Sequence, residues 1–225
     1  MKKFLILTVL ALLGAGASAQ DVVHLWKYKY DNEELGAPAR REKRVVLMGD
    51  SITEGWYTWA GKFFRDGRIC RGISGEVTAQ MLLRFRQDVI ALKPKAVVIL
   101  AGTNDIALNL GAYDEDYTLG NIISMVELAR KNKIKVVLCS ALPAAAFPWR
   151  QEIKDAPEKI SRLNARLEEY ARENKIPYVD YHSALLADDG ISLDPAYSPD
   201  GVHPNAEGYK VMEKLLLPVL KKVRR

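Results

Sequence analysis

The chain has 225 residues, 48% of them hydrophobic, with 33 Lys and Arg against 28 Asp and Glu for a net charge of +5. That size supplies one domain with a full core. The mild positive excess is spread along the sequence and gives no ground for nucleic-acid binding, and two cysteines without a CxxC or Cys/His spacing give none for a metal site.

Residues 1–19 read as a cleavable secretory signal. Lys2 and Lys3 form a positive start, residues 4–13 an apolar run, and Ala17-Ser18-Ala19 a small-x-small cleavage site ahead of Gln20. A membrane anchor is the other reading of that run, but ten residues are too few to span a bilayer. No cysteine follows the run to take a lipid. The expectation is a secreted or periplasmic protein without stable membrane insertion. Residues 20–41 are polar, carry Trp26, Tyr28 and Tyr30, and break at Gly36-Ala37-Pro38. They read as an N-terminal arm laid over a domain of residues 42–225.

Strand and helix patterns then alternate. Apolar, β-branched runs occur at 44–48, 69–71, 96–100, 135–139 and 176–180, and such continuous runs suit strands buried on both faces. Between and after them, Ile122, Ile123, Val126 and Ala129 share one helical face. So do Ile160, Leu163, Leu167, Tyr170 and Ala171, and so do Tyr209, Met212, Leu215, Leu216 and Val219. Pro94 and Pro177 mark exits from helices. The pattern predicts a three-layer α/β/α domain with a parallel sheet. Cys70 and Cys139 fall in or beside different strands and read as buried free thiols. The closing run of Lys221, Lys222, Arg224 and Arg225 suits a solvated helix C-terminus.

Ligands of parallel sheets bind beyond the carboxyl ends of the strands. The polar oddities of this sequence fall there. Asp50-Ser51 follows the first strand, Ser74-Gly75 the second and Gly102-Thr103-Asn104 the third. Near the C-terminus, 149 residues after Ser51, Asp200-Gly201-Val202-His203 sets a carboxylate three residues before a histidine. A serine hydroxyl is a poor nucleophile unless an imidazole takes its proton and an acid holds that imidazole in one tautomer. Ser51, His203 and Asp200 supply those parts. The Ser51 and Gly75 N–H groups and the Asn104 amide are candidate donors to a developing oxyanion. Each residue has a bland alternative: a helix N-cap for Ser51, and turn chemistry for Gly75, Asn104 and Asp200-Gly201. The turn reading leaves His203 unexplained. His24 lies in the arm, and His182 reads as a packing or surface residue.

The segments Gly49-Asp50-Ser51-Ile52, Gly72-Ile73-Ser74-Gly75, Gly102-Thr103-Asn104-Asp105 and Asp200-Gly201-Val202-His203-Pro204 resemble, in order, the four sequence blocks of the SGNH (GDSL-type) hydrolase superfamily. The likeness runs from Arg44 to Val219, with Ile52 where the family name has leucine. It implies a flavodoxin-like five-stranded sheet of order 2-1-3-4-5 and ester hydrolysis without cofactor or metal. It also implies Ser51 as nucleophile, His203 as base, Asp200 as its orienter, and Ser51, Gly75 and Asn104 as oxyanion donors.

The substrate is less legible. Trp149 and Arg150, in a long loop spanning 143–157, could line a sugar site or pack the loop on itself. Trp56, Tyr57 and Trp59 could stack on a sugar or fill core; the candidate substrate contacts are Asp50, which adjoins the nucleophile, Trp56, Trp149 and Arg150. The reading is a small-molecule or glycan ester substrate, with a short acyl group, acetyl, removed from carbohydrate. The alternatives are a lysophospholipase or thioesterase on longer chains, and a catalytically silent carbohydrate-binding domain. The sequence does not specify an oligomeric state.

Overall fold

The computed structural model describes residues 23–224; the signal and its cleavage site lie outside them. The apolar runs form β1 (Val45–Gly49), β2 (Arg68–Gly72), β3 (Ala96–Leu100), β4 (Lys135–Cys139) and β5 (Tyr178–Val179). They pair in parallel in the order β2-β1-β3-β4-β5. The last run is shorter as a strand than as a pattern. Pro177 has no N–H to give a ladder, so it enters the sheet as an acceptor alone, from Leu138 N.

Successive side chains of a strand point to opposite faces, and the cores divide accordingly. Val46, Met48, Val97, Ile99, Val136 and Leu138 face one layer. Val45, Leu47, Val98, Leu100, Val137 and Cys139 face the other. On the first face pack α3 (Thr78–Phe85, continued by one π turn over Arg86–Ile90), α5 (Glu115–Lys131) and α6 (Ala156–Glu173). Their buried stripes include Met81 and Phe85, then Ile122, Val126 and Ala129, then Ile160, Leu163, Leu167 and Ala171. On the second face pack α2 (Ser51–Ala60), α7 (Tyr181–Leu185) and α8 (Ala206–Val223), the last through Tyr209, Met212, Leu216 and Leu220. The short α1 (Lys29–Leu35) belongs to the arm, and α4 (Thr103–Ile106) is one turn after β3.

Two details fix the carboxyl edge of the sheet. Helix α2 starts so close to β2 that a Cβ on Gly72 would lie 2.3 Å from the Glu54 backbone nitrogen, so only glycine fits there. Arg84, fully buried on α3, bonds Glu76 at 2.6 Å and Asp88 at 2.9 Å, and donates to the carbonyls of Gly49 (3.2 Å) and Arg71 (2.9 Å). It thereby ties the ends of β1 and β2 together. Both cysteines are free, on β2 and β4 with β1 and β3 between them. Cys139 is buried as expected; Cys70 is only partly so and donates its thiol to Thr53 O. Among the described residues no helix is long and apolar enough to cross a membrane.

Candidate active site

The site assembles at the carboxyl edge of the sheet. Asp50 caps α2, accepting from Ile52 N at 2.9 Å. Ser51 is therefore the first helical residue, where its N–H has no intrahelical acceptor. Its Oγ lies 2.9 Å from His203 Nε2. The other ring nitrogen, Nδ1, lies 2.7 Å from Asp200 Oδ2. Asp200 is itself locked in a tight turn. Its Oδ1 accepts from Val202 N at 2.9 Å and His203 N at 2.8 Å, Gly201 takes φ +78°, and Ser198 Oγ lies 3.2 Å away. The turn chemistry and the histidine thus belong to one device. Burial pushes the Asp200 carboxyl up, but the His203 backbone N–H and imidazole outweigh it and hold the group down at about 2.

The other donor candidates lie in the segments after β2 and β3, at the same edge of the sheet as Ser51. Gly75 takes φ +80°, a conformation natural to glycine, in the loop after β2. Neither its N–H nor that of Ser51 has a protein acceptor among the described residues. Asn104, buried on α4, directs Nδ2 to Glu76 O at 3.1 Å and to Asp50 Oδ2 at 3.3 Å. Burial pushes Asp50 up to about 7, against the pull of the Ile52 N–H and of His203.

Of the four proposed substrate contacts, two are misplaced. Asp50 is 1% exposed and lies beneath the site, holding α2 and the Asn104 amide. Trp56 is also 1% exposed, stacked between Phe63 (4.6 Å) and Tyr209 (5.4 Å), with Nε1 bonded to Glu213. Tyr57 and Trp59 do reach the surface. Trp149 lies at the site: its ring is 6.0 Å from that of His203, packs on buried Phe147 and is 42% exposed. Arg150 turns away to Leu108 O at 3.3 Å and toward Glu152. The loop thus packs on itself through Phe147 while Trp149 also lies beside the His203 imidazole. His24 pairs with Glu76 at 3.3 Å, and His182 is half-buried at the start of α7, its backbone N–H donating to Ser140 Oγ at 2.8 Å. Among the described residues no group of three or more His, Cys, Asp or Glu is arranged to hold a metal ion.

The model of the GDSL-like lipase/acylhydrolase family matches residues 47–211. The chain belongs to that family. A GDSL-like lipase of known structure from Bacteroides thetaiotaomicron is 56% identical, with a TM-score of 0.87 over 89% of this chain and 98% of that one. An acetylxylan esterase of Xylanibacter ruminicola is 25% identical over 84% of this chain, which spans only 45% of that longer protein. An isoamyl acetate-hydrolyzing esterase homolog of Rattus norvegicus is 30% identical over 80% of this chain and 82% of its own. This GDSL-type protein is accordingly a carboxylic ester hydrolase, and the five-stranded order is that expected.

The sequence reading of this acylhydrolase missed Arg84, Glu54 and Asn109. Arg84 and Asp88 were legible in principle, since they share the face of Met81 and Phe85, where an unpaired charge would be costly. Glu54 holds the loop before Gly75 by accepting from Ser74 N at 2.8 Å and Oγ at 2.6 Å. Asn109 has no such local signal.

Proposed function

We propose that Ser51 hydrolyses esters through an acyl-serine, with His203 as general base and acid and Asp200 holding the imidazole. The observation that carries this is the continuous relay from Ser51 Oγ to Nε2 and from Nδ1 to Asp200, at 2.9 and 2.7 Å. His203 takes the serine proton as Oγ attacks the carbonyl carbon. The oxygen's new charge is met by the Ser51 and Gly75 N–H groups and by Asn104 Nδ2, each donor worth about 10²–10³ in rate. His203 then protonates the departing alcohol, and the same nitrogen activates the water that releases the acid.

The favoured substrate is a short acyl ester, an acetate, on carbohydrate. Two lines support it. The exposed Trp149 indole beside His203 offers a flat apolar face where the alcohol portion leaves, suited to a sugar ring. Two relatives carry names that specify acetate esters. The signal-like residues 1–19 fit an exported enzyme acting on glycans outside the cytoplasm, with residues 20–41 as an arm and 42–225 as the hydrolase domain.

The test is hydrolysis of p-nitrophenyl esters from C2 to C12 and of acetylated oligosaccharides by wild type and Ser51→Ala. Turnover is expected to fall with chain length and to vanish in the variant. A maximum at long chains would transfer the assignment to lipid or thioester substrates. Glycan binding without turnover, unchanged in Ser51→Ala, would make the protein a binding domain.

A further inference from the structure

Asn109 stands at the centre of a relay that neither the four sequence blocks nor the catalytic order explains. The turn after α4 closes through Asn109 N to Asn104 O at 3.1 Å, with Leu108 held at φ +56°. This swings the Asn109 side chain back beside the oxyanion donors. Its Nδ2 lies 2.7 Å from Asn104 Oδ1 and 3.3 Å from Gly75 O. Its Oδ1 accepts from Trp149 Nε1 at 3.0 Å.

The direction of this chain follows from chemistry. An indole nitrogen donates and never accepts, so the atom of Asn109 facing it must be the carbonyl oxygen. Nδ2 of Asn109 is then the group facing Asn104, so the Asn104 atom opposite is Oδ1. Asn104 Nδ2 is consequently turned toward Asp50, Glu76 and the region of Ser51. A substrate oxyanion must take a hydrogen that the resting amide gives elsewhere, the longer bond being that to Asp50 at 3.3 Å. While that hydrogen changes partner, only the Glu76 carbonyl and the Asn109 bond hold the amide plane. Hydrogen bonds in series also polarise one another, so accepting at Oδ1 makes Nδ2–H the stronger donor.

We propose that Asn109, oriented by the Trp149 indole N–H, is a positioning residue that holds the Asn104 amide as an oxyanion donor. Trp149 therefore contributes its N–H to rate as well as its ring to the alcohol side. The proposal rests on the assignment of Asn104 as an oxyanion donor, and the test separates the two.

The experiment measures kcat and KM on p-nitrophenyl acetate, with unfolding temperatures as a fold check, for Asn104→Ala, Asn109→Asp, Trp149→Phe and the double variant Trp149→Phe/Asn104→Ala. Asn109→Asp is isosteric and keeps the acceptor for Trp149, but offers no donor to Asn104. Trp149→Phe keeps an aromatic face but loses the N–H and part of the ring area, which is why the double variant is needed to isolate the path through Asn104. Both are expected to lower kcat about tenfold with KM within about twofold of wild type, whereas Asn104→Ala costs about 10²–10³. In the Asn104→Ala background, Trp149→Phe is expected to cost nothing further, because the residue it acts through is gone. Wild-type kcat in Asn109→Asp or Trp149→Phe, an effect on KM alone, or losses that multiply in the double variant would overturn the relay while leaving Asn104 as a donor. Wild-type kcat in Asn104→Ala would instead remove the oxyanion assignment, and the relay with it.

Discussion

Two aspartates lie within one site and are driven in opposite directions. Asp200 is held down at about 2 because its hydrogen bonds to His203 outweigh burial, and Asp50 is pushed up to about 7 because burial outweighs its bonds. A carboxylate with a depressed pKa stabilises the fold above the ordinary aspartate range and loses that contribution as pH falls toward 2. Asp200 thus remains charged wherever the enzyme works. Asp200→Asn should lower kcat by about 10⁴-fold, since an amide no longer selects the tautomer with Nε2 free; a loss below tenfold would remove the orienting role. For Asp50 the sign reverses. Its raised pKa favours the protonated folded state, so the fold loses stability as pH rises from the ordinary aspartate range to about 7. Thermal unfolding should therefore show Asp50→Asn gaining on wild type between pH 5 and pH 8, and a gap independent of pH would refute the buried titration. At this scale Ser51, Asp200 and His203 were legible because their chemistry restricts the residue types. Asp50 was misread as a substrate contact, and Trp56 fills core rather than stacking on a sugar, because adjacency to the nucleophile in sequence is not adjacency in space. Trp56, five residues beyond Ser51, lies about 140° around α2 and enters the core, whereas Glu54, three residues on, lies one turn from Ser51 on nearly the same face.

At the scale of elements, the loop bearing Gly75 is held from several sides. The arm reaches it through Tyr28, whose hydroxyl donates to Gly72 O, and through Lys27, which pairs with Glu54 at 2.9 Å. Glu54 in turn holds Ser74, and His24 meets Glu76. Below, Arg84 neutralises Glu76, whose carboxyl is pushed up by burial against the pull of that guanidinium. Arg84→Met would leave Glu76 and Asp88 buried without their cation and should cost about 3–5 kcal/mol of stability by urea unfolding. A cost under 1 kcal/mol would mean that the cluster does not hold the edge. Glu54→Ala, on a partly exposed side chain, should leave the unfolding midpoint nearly unchanged and lower kcat about tenfold through the displaced loop. The reverse pattern would make Glu54 a structural tie only. The strands and long helices were readable because periodicity reports burial directly. The arm's helix and its contacts were not, since they depend on long-range pairing with β2 and α2 that no local pattern encodes.

Over the whole molecule, the candidate catalytic groups come from four stretches distant in sequence, after β1, β2 and β3 and before α8, brought to one edge by the parallel strand order. The charge is not evenly placed in space. Arg130, Lys133, Lys135, Lys175 and Lys222 line a cleft near the amino ends of β4 and β5, opposite the site. This cluster of cations is thus remote from Ser51. The fold and the nucleophilic relay were legible because one spacing, Asp-x-x-His far downstream of a strand-ending serine, has few physical uses. The acyl and alcohol preferences were not, because they reside in the shape of the loop around Trp149.

The mechanism requires that Ser51 carry the acyl group. The direct measurement is rapid quench of wild type with p-nitrophenyl acetate, followed by mass analysis of the peptides. The expected result is a burst of nitrophenol near one equivalent per enzyme and an acetyl group on the peptide containing Ser51, both abolished in Ser51→Ala. Steady hydrolysis in Ser51→Ala at the wild-type rate, or acetyl accumulating on another residue while turnover continues, would contradict it.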